Sequence, residues 1–286
     1  MASMRDIKRR RSSISSTQQI TKAMKLVSTV KLQKAKTKAE ETAPYFDYMY
    51  RTVCSLLAKA GTIDHPYLKS QDSEKKAVVT ITSNRGLAGG YNSNIVKLIT
   101  QSELKKDEID IWAIGKKGEE ALAHRKYNIA VNESDVMEAP TYDDAAKISE
   151  KLLAAYAAGE IGEIYLAYTH FKNTVVHQPK LIKLLPVEIT EEEAAEAAQS
   201  NLLMNFEPNA EEAIGMIVPK YITSLIYGAL IEAVASENGA RMQAMDSATS
   251  NAEEMIEDLT LKYNRARQGS ITQELTEIIA GAEAIS

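Results

Sequence analysis

Apolar residues in the first part of the chain recur every three or four positions on one narrow face. The stripe consists of eight residues: Ile20, Met24, Val27, Val30, Tyr45, Met49, Val53 and Leu56. About residues 3–58 contain no glycine and a single proline, Pro44. This spacing predicts one helix, on the order of 80 Å long at about 1.5 Å per residue. Because that exceeds the diameter of a small domain, we expect the helix to project.

Between about residues 74 and 190 the pattern changes to short β-type runs separated by helical periodicity. Strands are predicted at about 77–82, 109–114, 127–132, 163–170 and 176–186, and helices at about 92–104, 116–124 and 142–158. Alternating strands and helices favour a mostly parallel sheet covered by helices. The last two strands are separated only by a short polar turn, so they are predicted to pair antiparallel.

Helical periodicity dominates again from Asn209 to the end of the chain, after an acidic segment, Thr190–Asn201, that is typical of a linker. Two rows of residues step by seven, as in a heptad seam: Met242, Thr249, Ile256, Tyr263 and Met245, Ala252, Leu259, Ala266. Pro219 predicts a kink or a second helix start within this region.

Two long helices therefore flank one α/β domain. Since neither helix could bury a long, narrow apolar face alone, we expect them to wind around each other. The predicted fold class is α/β: a long antiparallel coiled coil of N- and C-terminal helices plus a central Rossmann-like α/β domain. The domains are predicted at 1–58, 74–190 and 209–286. Two independent surface helices on a larger globule are the alternative.

The charge of the chain is unevenly distributed. Residues 1–39 carry eleven basic side chains and one acidic one, near +10, while the whole chain is at −5, which leaves near −15 for the rest. This asymmetry indicates an acidic protein, nucleic acid or an anionic membrane as the partner of the basic arm. The arm has no interleaved aromatic residues for base stacking, which favours an acidic protein.

The segment Val78–Asn94 resembles a phosphate loop in layout, with a strand, a glycine-rich turn and a helix start. Its glycines, Gly86, Gly89 and Gly90, have a GxxGG spacing. The GxGxxG and GxxxxGK[ST] patterns do not occur in the sequence. A structural turn is therefore favoured over a nucleotide site.

No catalytic, cofactor or metal site is predicted. The four histidines, His65, His124, His170 and His177, lack close ligand spacing. A single cysteine, Cys54, excludes an intrachain disulfide and favours a reducing compartment; its apolar neighbours favour a core position. The sequence shows no secretory signal pattern and no unbroken run of roughly 18 apolar residues that would span a bilayer.

Four stretches resemble the gamma subunit of rotary ATP synthases. They are STQQITKAMKLVSTVKL at 16–32, SNRGLAGGYN at 83–92, SLIYGALIEAVASENGARMQAMDSATSNAEEMI at 224–256 and LKYNRARQGSITQELTEIIAGAEA at 261–284. The resemblance extends over essentially the whole chain in the right order. Its most specific part is the motif I-T-x-E-x-x-E-x-x-x-G-A, from Ile271 to Ala282.

The resemblance implies a non-catalytic rotor shaft inside a ring of three alpha and three beta subunits. The α/β domain would be a foot on the membrane ring of c subunits and would carry the epsilon subunit. Ion-driven rotation would be coupled to conformational cycling of the catalytic beta subunits, for ATP synthesis or hydrolysis. No nucleic acid is implied, and membrane contact is implied only through the complex. The location implied is the cytoplasmic face of a bacterial plasma membrane.

The resemblance also implies contact residues on the helices. Arg267 and Gln268 match residues that hydrogen-bond the catch loop of a beta subunit, and Met24 matches a residue beside an acidic beta loop. Arg241 and Met245 lie in the coiled-coil stretch. Four further residues are implied to couple the C-terminal helix to the N-terminal one, including Met24: Thr272, Gln273, Glu274 and Glu277.

Further contacts are implied at the two ends of the rotor. The tip, Ile278–Ile285, would enter an apolar bearing made by the ring. Five residues of the glycine loop would lie near the c ring: Gly86, Leu87, Ala88, Gly89 and Gly90. The chain departs from the family at Arg11, where an apolar residue is usual, and lacks the redox cysteine pair of the chloroplast members.

Two other functions stay open from the residues alone. A nucleotide-binding enzyme with a helical appendage is motivated by the α/β pattern. A coiled-coil tether for nucleic acid or membrane is motivated by the basic arm.

Overall fold

A computed structural model describes residues 4–60, 65–188 and 210–283. Contacts within the chain define two compact units. The first, called the α/β unit, consists of residues 30–240; the second, called the helix-pair unit, consists of residues 1–29 and 241–286. The predicted linker Thr190–Asn201 and the last residues of the predicted tip lie outside the described residues.

Two long helices contribute residues to both units. The first, α1, extends from Met4 to Ala60 and contains Pro44. The last, α5, extends from Ala210 to Glu283 and contains Pro219. Because α5 is one helix across Pro219, the structure has no second helix start there. Thr223 and Ser224 donate hydrogen bonds to carbonyls one turn earlier, at Pro219 and Lys220, as hydroxyl side chains in helices commonly do.

Between these two helices, residues 65–188 contain five strands and three helices. The strands are β1 (Lys76–Ile81), β2 (Ile109–Ile114), β3 (Asn128–Asn132), β4 (Glu163–Phe171) and β5 (His177–Leu185). The helices are α2 (Tyr91–Thr100), α3 (Lys116–His124) and α4 (Tyr142–Ala157). Three short 3-10 helices lie at Pro66–Leu68, Lys106–Glu108 and Ser134–Glu138.

The five strands form one mixed sheet in the order β3-β2-β1-β4-β5. The four strands β1 to β4 are parallel, whereas β4 and β5 pair antiparallel. This confirms the predicted mostly parallel sheet and the antiparallel last pair. The strand order reverses between β1 and β4, and open α/β sheets carry their ligand sites at the carboxyl ends of strands beside such a switch point.

Each face of the sheet packs against helices. Alternate residues of β1 point to opposite sides: Val78 joins α2 and α3, whereas Val79 and Ile81 join α4 and α5. On the second side α5 contributes a row of fully buried apolar residues: Ile214, Val218, Ile222, Ile226 and Leu230. Burying these side chains contributes about 1.5–3 kcal/mol each, so this part of α5 belongs to the core of the α/β unit.

The apolar composition of α5 also matches that of a membrane span. One 18-residue window within Glu211–Ala282 has a mean hydropathy of 1.5, and half of that window is buried within the protein. A count of unbroken apolar residues does not detect this window. The apolar residues that α5 buries against the sheet are sufficient to account for this high mean hydropathy.

In the helix-pair unit, burial follows the predicted seam on α5 but not on α1. Met245, Ala252 and Leu259 are buried, as their heptad spacing predicts. On α1 the buried residues are Thr21 and Ser28. The stripe predicted on α1 lies on one helix, as expected, but it does not form the seam here, because Ile20 and Val27 are mostly exposed.

Candidate functional site

The glycine loop, Ser83–Gly90, connects β1 to α2 and is held by two asparagines. The Asn92 carboxamide accepts a hydrogen bond from the Ser83 N–H at 2.9 Å and donates to Ser83 Oγ at 2.7 Å. The Asn84 carboxamide donates to the Ser134 carbonyl at 2.7 Å. The polar residues of SNRGLAGGYN therefore fix the loop's own conformation.

Thr82 and the first two residues of the glycine loop occupy the amide donors at the start of α3. Lys116 N–H donates to Asn84 Oδ1 at 3.1 Å, and Lys117 N–H donates to the Ser83 carbonyl at 3.0 Å. Gly118 N–H donates to Thr82 Oγ1 at 2.9 Å. These bonds tie the start of the loop to α3 and support its structural role, whereas a phosphate loop would use the amides at the start of the following helix, α2.

The outer part of the loop faces solvent. Ala88 is buried, whereas Leu87 is 65% exposed and has a φ of 63°. A positive φ is uncommon for a residue with a side chain. The backbone is therefore strained at Leu87, where the loop exposes this side chain to solvent. Of the five predicted contact residues in this loop, four are on its surface: Gly86, Leu87, Gly89 and Gly90.

The two helices of the helix-pair unit pack antiparallel. Thr21 Oγ1 lies 2.8 Å from Thr249 Oγ1, and Lys25 Nζ lies 2.6 Å from Asp246 Oδ1. One turn away, Gln18 donates to Glu253 Oε1 at 3.2 Å. Small and polar side chains thus make the seam on α1, which leaves its larger apolar residues on the outside.

Arg11 is accommodated in the same seam. Its guanidinium lies over the ring of Tyr263, 5.6 Å from the centroid, within the range of a cation–π contact. The partner Tyr263 belongs to the predicted heptad row. Arg11, although it replaces an apolar residue of the family, therefore still packs against the heptad row of α5, and α1 keeps its register there.

The predicted contact residues of the helices lie at two separate places. Met24 is half-buried and lies about one turn after Thr21, which contacts Thr249, whereas Arg267 and Gln268 are exposed. Residues 272–277 begin 23 positions beyond Thr249, or roughly 35 Å along the helix. The structure therefore does not bring Thr272, Gln273, Glu274 and Glu277 to Met24; among these four, Gln273 bonds Glu277 at 2.9 Å.

The final turns of α5 are exposed on every side. All residues from Ile271 to Ala282 are exposed, including four large apolar residues: Ile271, Leu275, Ile278 and Ile279. Towards the same end of the antiparallel pair, α1 presents a basic groove of about 390 Å³ lined by Arg5, Lys8, Arg9, Ser12, Ser13 and Ser16. Apolar and basic surfaces of this kind are suited to contacts with other chains.

Perturbed titratable groups occur in the α/β unit. Burial lowers the pKa of His177. Burial raises the pKa of Tyr168 to about 12, and the nearby charge of Glu232 acts in the same direction. Within residues 4–60, 65–188 and 210–283, no cluster of three or more His, Cys, Asp or Glu residues is arranged to hold a metal ion.

The geometry defines a class of protein that works through contacts with other chains. An α/β unit with a self-anchored loop is joined in sequence to a helix pair whose last turns are uncovered. A family model described as ATP synthase matches residues 3–285. The ATP synthase gamma chain of Lachnoclostridium phytofermentans is 66% identical and aligns over 100% of both chains.

Two further comparisons agree with this relationship. The ATP synthase gamma chain of Alkaliphilus metalliredigens is 43% identical over 99% of this chain and 98% of its own. A chain of the Euglena gracilis mitochondrial ATP synthase has the same fold, with a TM-score of 0.73 at 19% identity over 99% of this chain and 94% of its own. The chain belongs to the ATP synthase gamma-chain family.

Proposed function

We propose that the chain is the central rotor shaft of an ATP synthase. It couples ion-driven rotation of a membrane c ring to conformational cycling of catalytic beta subunits. The uncovered apolar surface of the helix-pair unit carries the proposal. On α1, Ile20, Leu26 and Val27 are 57–65% exposed. Exposed apolar surface of this extent marks a contact with other chains.

The shaft acts by differential contact. The helix pair has different residues on each side, so its rotation changes which side meets a given beta subunit. A contact that stabilises one beta conformation over another shifts that subunit's equilibrium. On this account the gamma chain is non-catalytic, and the beta subunits carry out synthesis or hydrolysis according to the direction of rotation.

The proposed contacts follow the exposed surfaces. Met24, Arg267 and Gln268 face beta subunits, and the basic groove on α1 faces acidic residues of the same ring. Five further residues of the helices contribute to the shaft: Arg241, Thr272, Gln273, Glu274 and Glu277. The α5 tip enters an apolar bearing formed by three alpha and three beta subunits.

The α/β domain at 74–190 is proposed as the foot between the coiled-coil segments 1–58 and 209–286. Its glycine loop, Gly86–Gly90, faces the c ring, and the foot also binds the epsilon subunit. The complex is proposed to lie peripherally on the cytoplasmic face of a bacterial plasma membrane. The chain itself needs neither nucleic acid nor a cofactor for this role.

Native mass spectrometry of the purified complex tests the proposal. We expect one copy of this chain with three alpha and three beta subunits. A complex that lacks the chain, or that holds three copies of it, would overturn the shaft assignment.

A nucleotide titration separates this function from that of a nucleotide-binding enzyme. Titration of the isolated chain with labelled ATP is expected to give no saturation below roughly millimolar ATP, a free energy of binding of about −4 kcal/mol. Tighter saturable binding would contradict the non-catalytic role.

A further inference from the structure

A polar seam joins α5 to the carboxyl end of β4 and the start of β5. The seam consists of Glu232, Ser236 and Gly239 on α5, which lie four and three residues apart and therefore on one helix face. All three lie beyond Leu230, and the fully buried Ala233 and Ala235 lie between the first two of them. The seam is thus at the end of the part of α5 that belongs to the α/β unit.

Glu232 makes the strongest contacts of the seam. Its Oε2 lies 2.6 Å from His170 Nδ1 and accepts a hydrogen bond from the Phe171 N–H at 3.2 Å. The carboxylate and imidazole are each 30% exposed. Hydrogen bonds to a charged acceptor are stronger than neutral ones, and partial burial limits their screening by solvent.

Ser236 and Gly239 bring the helix backbone close to the strands. The fully buried Ser236 donates to the Thr169 carbonyl at 3.2 Å. A Cβ at Gly239 would lie 2.5 Å from His177 Nε2, so the position allows no side chain without movement of the imidazole. His177 and Phe171 are paired across β4 and β5, which makes the two strand ends one rigid partner for α5.

The seam differs physically from the apolar row that precedes it. The fully buried row at Ile222, Ile226 and Leu230 sets which face of α5 meets the sheet, because rotation of the helix about its own axis would expose these side chains. Hydrogen bonds weaken steeply when their angles change. Three successive polar or close contacts on one face therefore fix that rotation.

We propose that Glu232, Ser236 and Gly239 form a rotational lock that transmits torque between the sheet and α5. The proposal rests on the rotor function proposed above and assigns its torque-bearing contact. Glu232 is a positioning residue: it touches no substrate and acts by holding the strand ends against the helix. Where α5 continues past Ala240, it belongs to the helix-pair unit.

The test uses the complete ATP synthase in sealed vesicles, with ATP hydrolysis and ATP-driven H⁺ or Na⁺ uptake measured together. Glu232→Ala removes both acceptor bonds, Glu232→Gln keeps an acceptor oxygen, and Glu150→Ala is the control. Glu150 is an exposed glutamate on α4 of the same unit. Thermal unfolding of each complex is measured in parallel.

We expect Glu232→Ala to lower the ratio of ions pumped to ATP hydrolysed by about 2- to 30-fold, the range produced by mutations in coupling networks. Glu232→Gln should restore most of the ratio, and Glu150→Ala should leave it unchanged. An unchanged ratio in Glu232→Ala would overturn the lock, whether both activities are normal or both fall in proportion. A Gln variant as uncoupled as the Ala variant would overturn its hydrogen-bond basis.

The same experiment separates the lock from the rotor function. If the wild-type chain did not assemble or did not couple pumping to hydrolysis, the proposed function would fail. If the wild-type chain coupled normally and Glu232→Ala did so equally well, only the lock would fail.

Discussion

The same two helices pack differently in the two units. In the α/β unit, α5 buries large apolar residues such as Ile222, Ile226 and Leu230 completely. In the helix-pair unit, the buried residues of α1 are Thr21 and Ser28, while larger apolar residues remain outside. The α/β unit therefore completes its own core, whereas the helix pair leaves much of its apolar surface for other chains.

The largest expected difference between the units is in stability. Leu230 is fully buried and Leu26 is 65% exposed, so the two give a matched pair of Leu→Ala substitutions. Leu230→Ala should lower the free energy of unfolding by about 2–5 kcal/mol because it leaves a cavity. Leu26→Ala should change it by less than about 0.5 kcal/mol. Urea unfolding of the isolated chain measures both, and equal losses would contradict the comparison.

Substitutions on the outer surface of the helix pair should instead affect the coupling of ion pumping to ATP hydrolysis in the assembled complex. Met24→Lys places a cation where the proposed partner is an acidic beta loop, and would bind one rotary state too tightly. We expect ATP-driven ion pumping to fall about fivefold or more relative to ATP hydrolysis, with assembly retained. Ala23→Lys, at the exposed neighbouring position, is the control. A strictly proportional fall in pumping and hydrolysis would count against this contact.

Mild acid should weaken the α/β unit, which contains all four histidines. His177 packs between Phe171 and Gly239, and burial lowers its pKa. Glu232 lies about two helical turns before Gly239, and His170 belongs to the neighbouring residue pair of β4 and β5. The unfolded chain protonates this imidazole near pH 6.5, but the folded chain does so only at lower pH. Between the two pKa values the unfolded state holds more protons, so stability falls as pH falls.

His177→Gln removes this titration. The loss of unfolding free energy between about pH 7.5 and 5.5 should therefore be smaller in this variant than in the wild-type chain, whereas the exposed control His124→Gln should behave like wild type. Denaturant unfolding at several pH values measures the slopes. An unchanged slope in His177→Gln would show that this imidazole does not weaken the fold in acid.

The smallest expected effect is at the ion pair across the helix pair. Lys25 and Asp246 lie 2.6 Å apart, but their side chains are 39% and 57% exposed. Exposed pairs contribute between 0 and about 1 kcal/mol and are screened by salt. Lys25→Met should therefore change stability by less than about 1 kcal/mol, with the difference lost in high salt. A larger, salt-independent loss would mean that this pair determines the register.

The order of strands and helices was largely predictable from the sequence, because apolar residues recur with a different spacing in strands and in helices. The heptad rows on α5 were predictable for the same reason, and Met245, Ala252 and Leu259 are buried. The stripe on α1 was misread because periodicity shows that Ile20 and Val27 share a helix face, but not which chain covers that face. Thr21 and Ser28 gave no apolar signal, although small residues allow close helix packing.

The sites were less predictable than the elements. GxxGG spacing argued against a nucleotide site, but only the folded chain shows that Thr82, Ser83 and Asn84 occupy the α3 amides. No sequence pattern singles out Glu232. Its partners His170 and Phe171 are about 60 residues away in sequence, and no local pattern connects such distant positions.

Direct observation of rotation tests the central claim. The alpha–beta ring would be fixed to a surface and a bead attached to the exposed loop of this chain at Gly86. With ATP, the shaft assignment predicts rotation in one direction with pauses about 120° apart, as the threefold symmetry of the ring requires. Continued ATP hydrolysis with a stationary bead, in a complex shown to contain the chain, would contradict it.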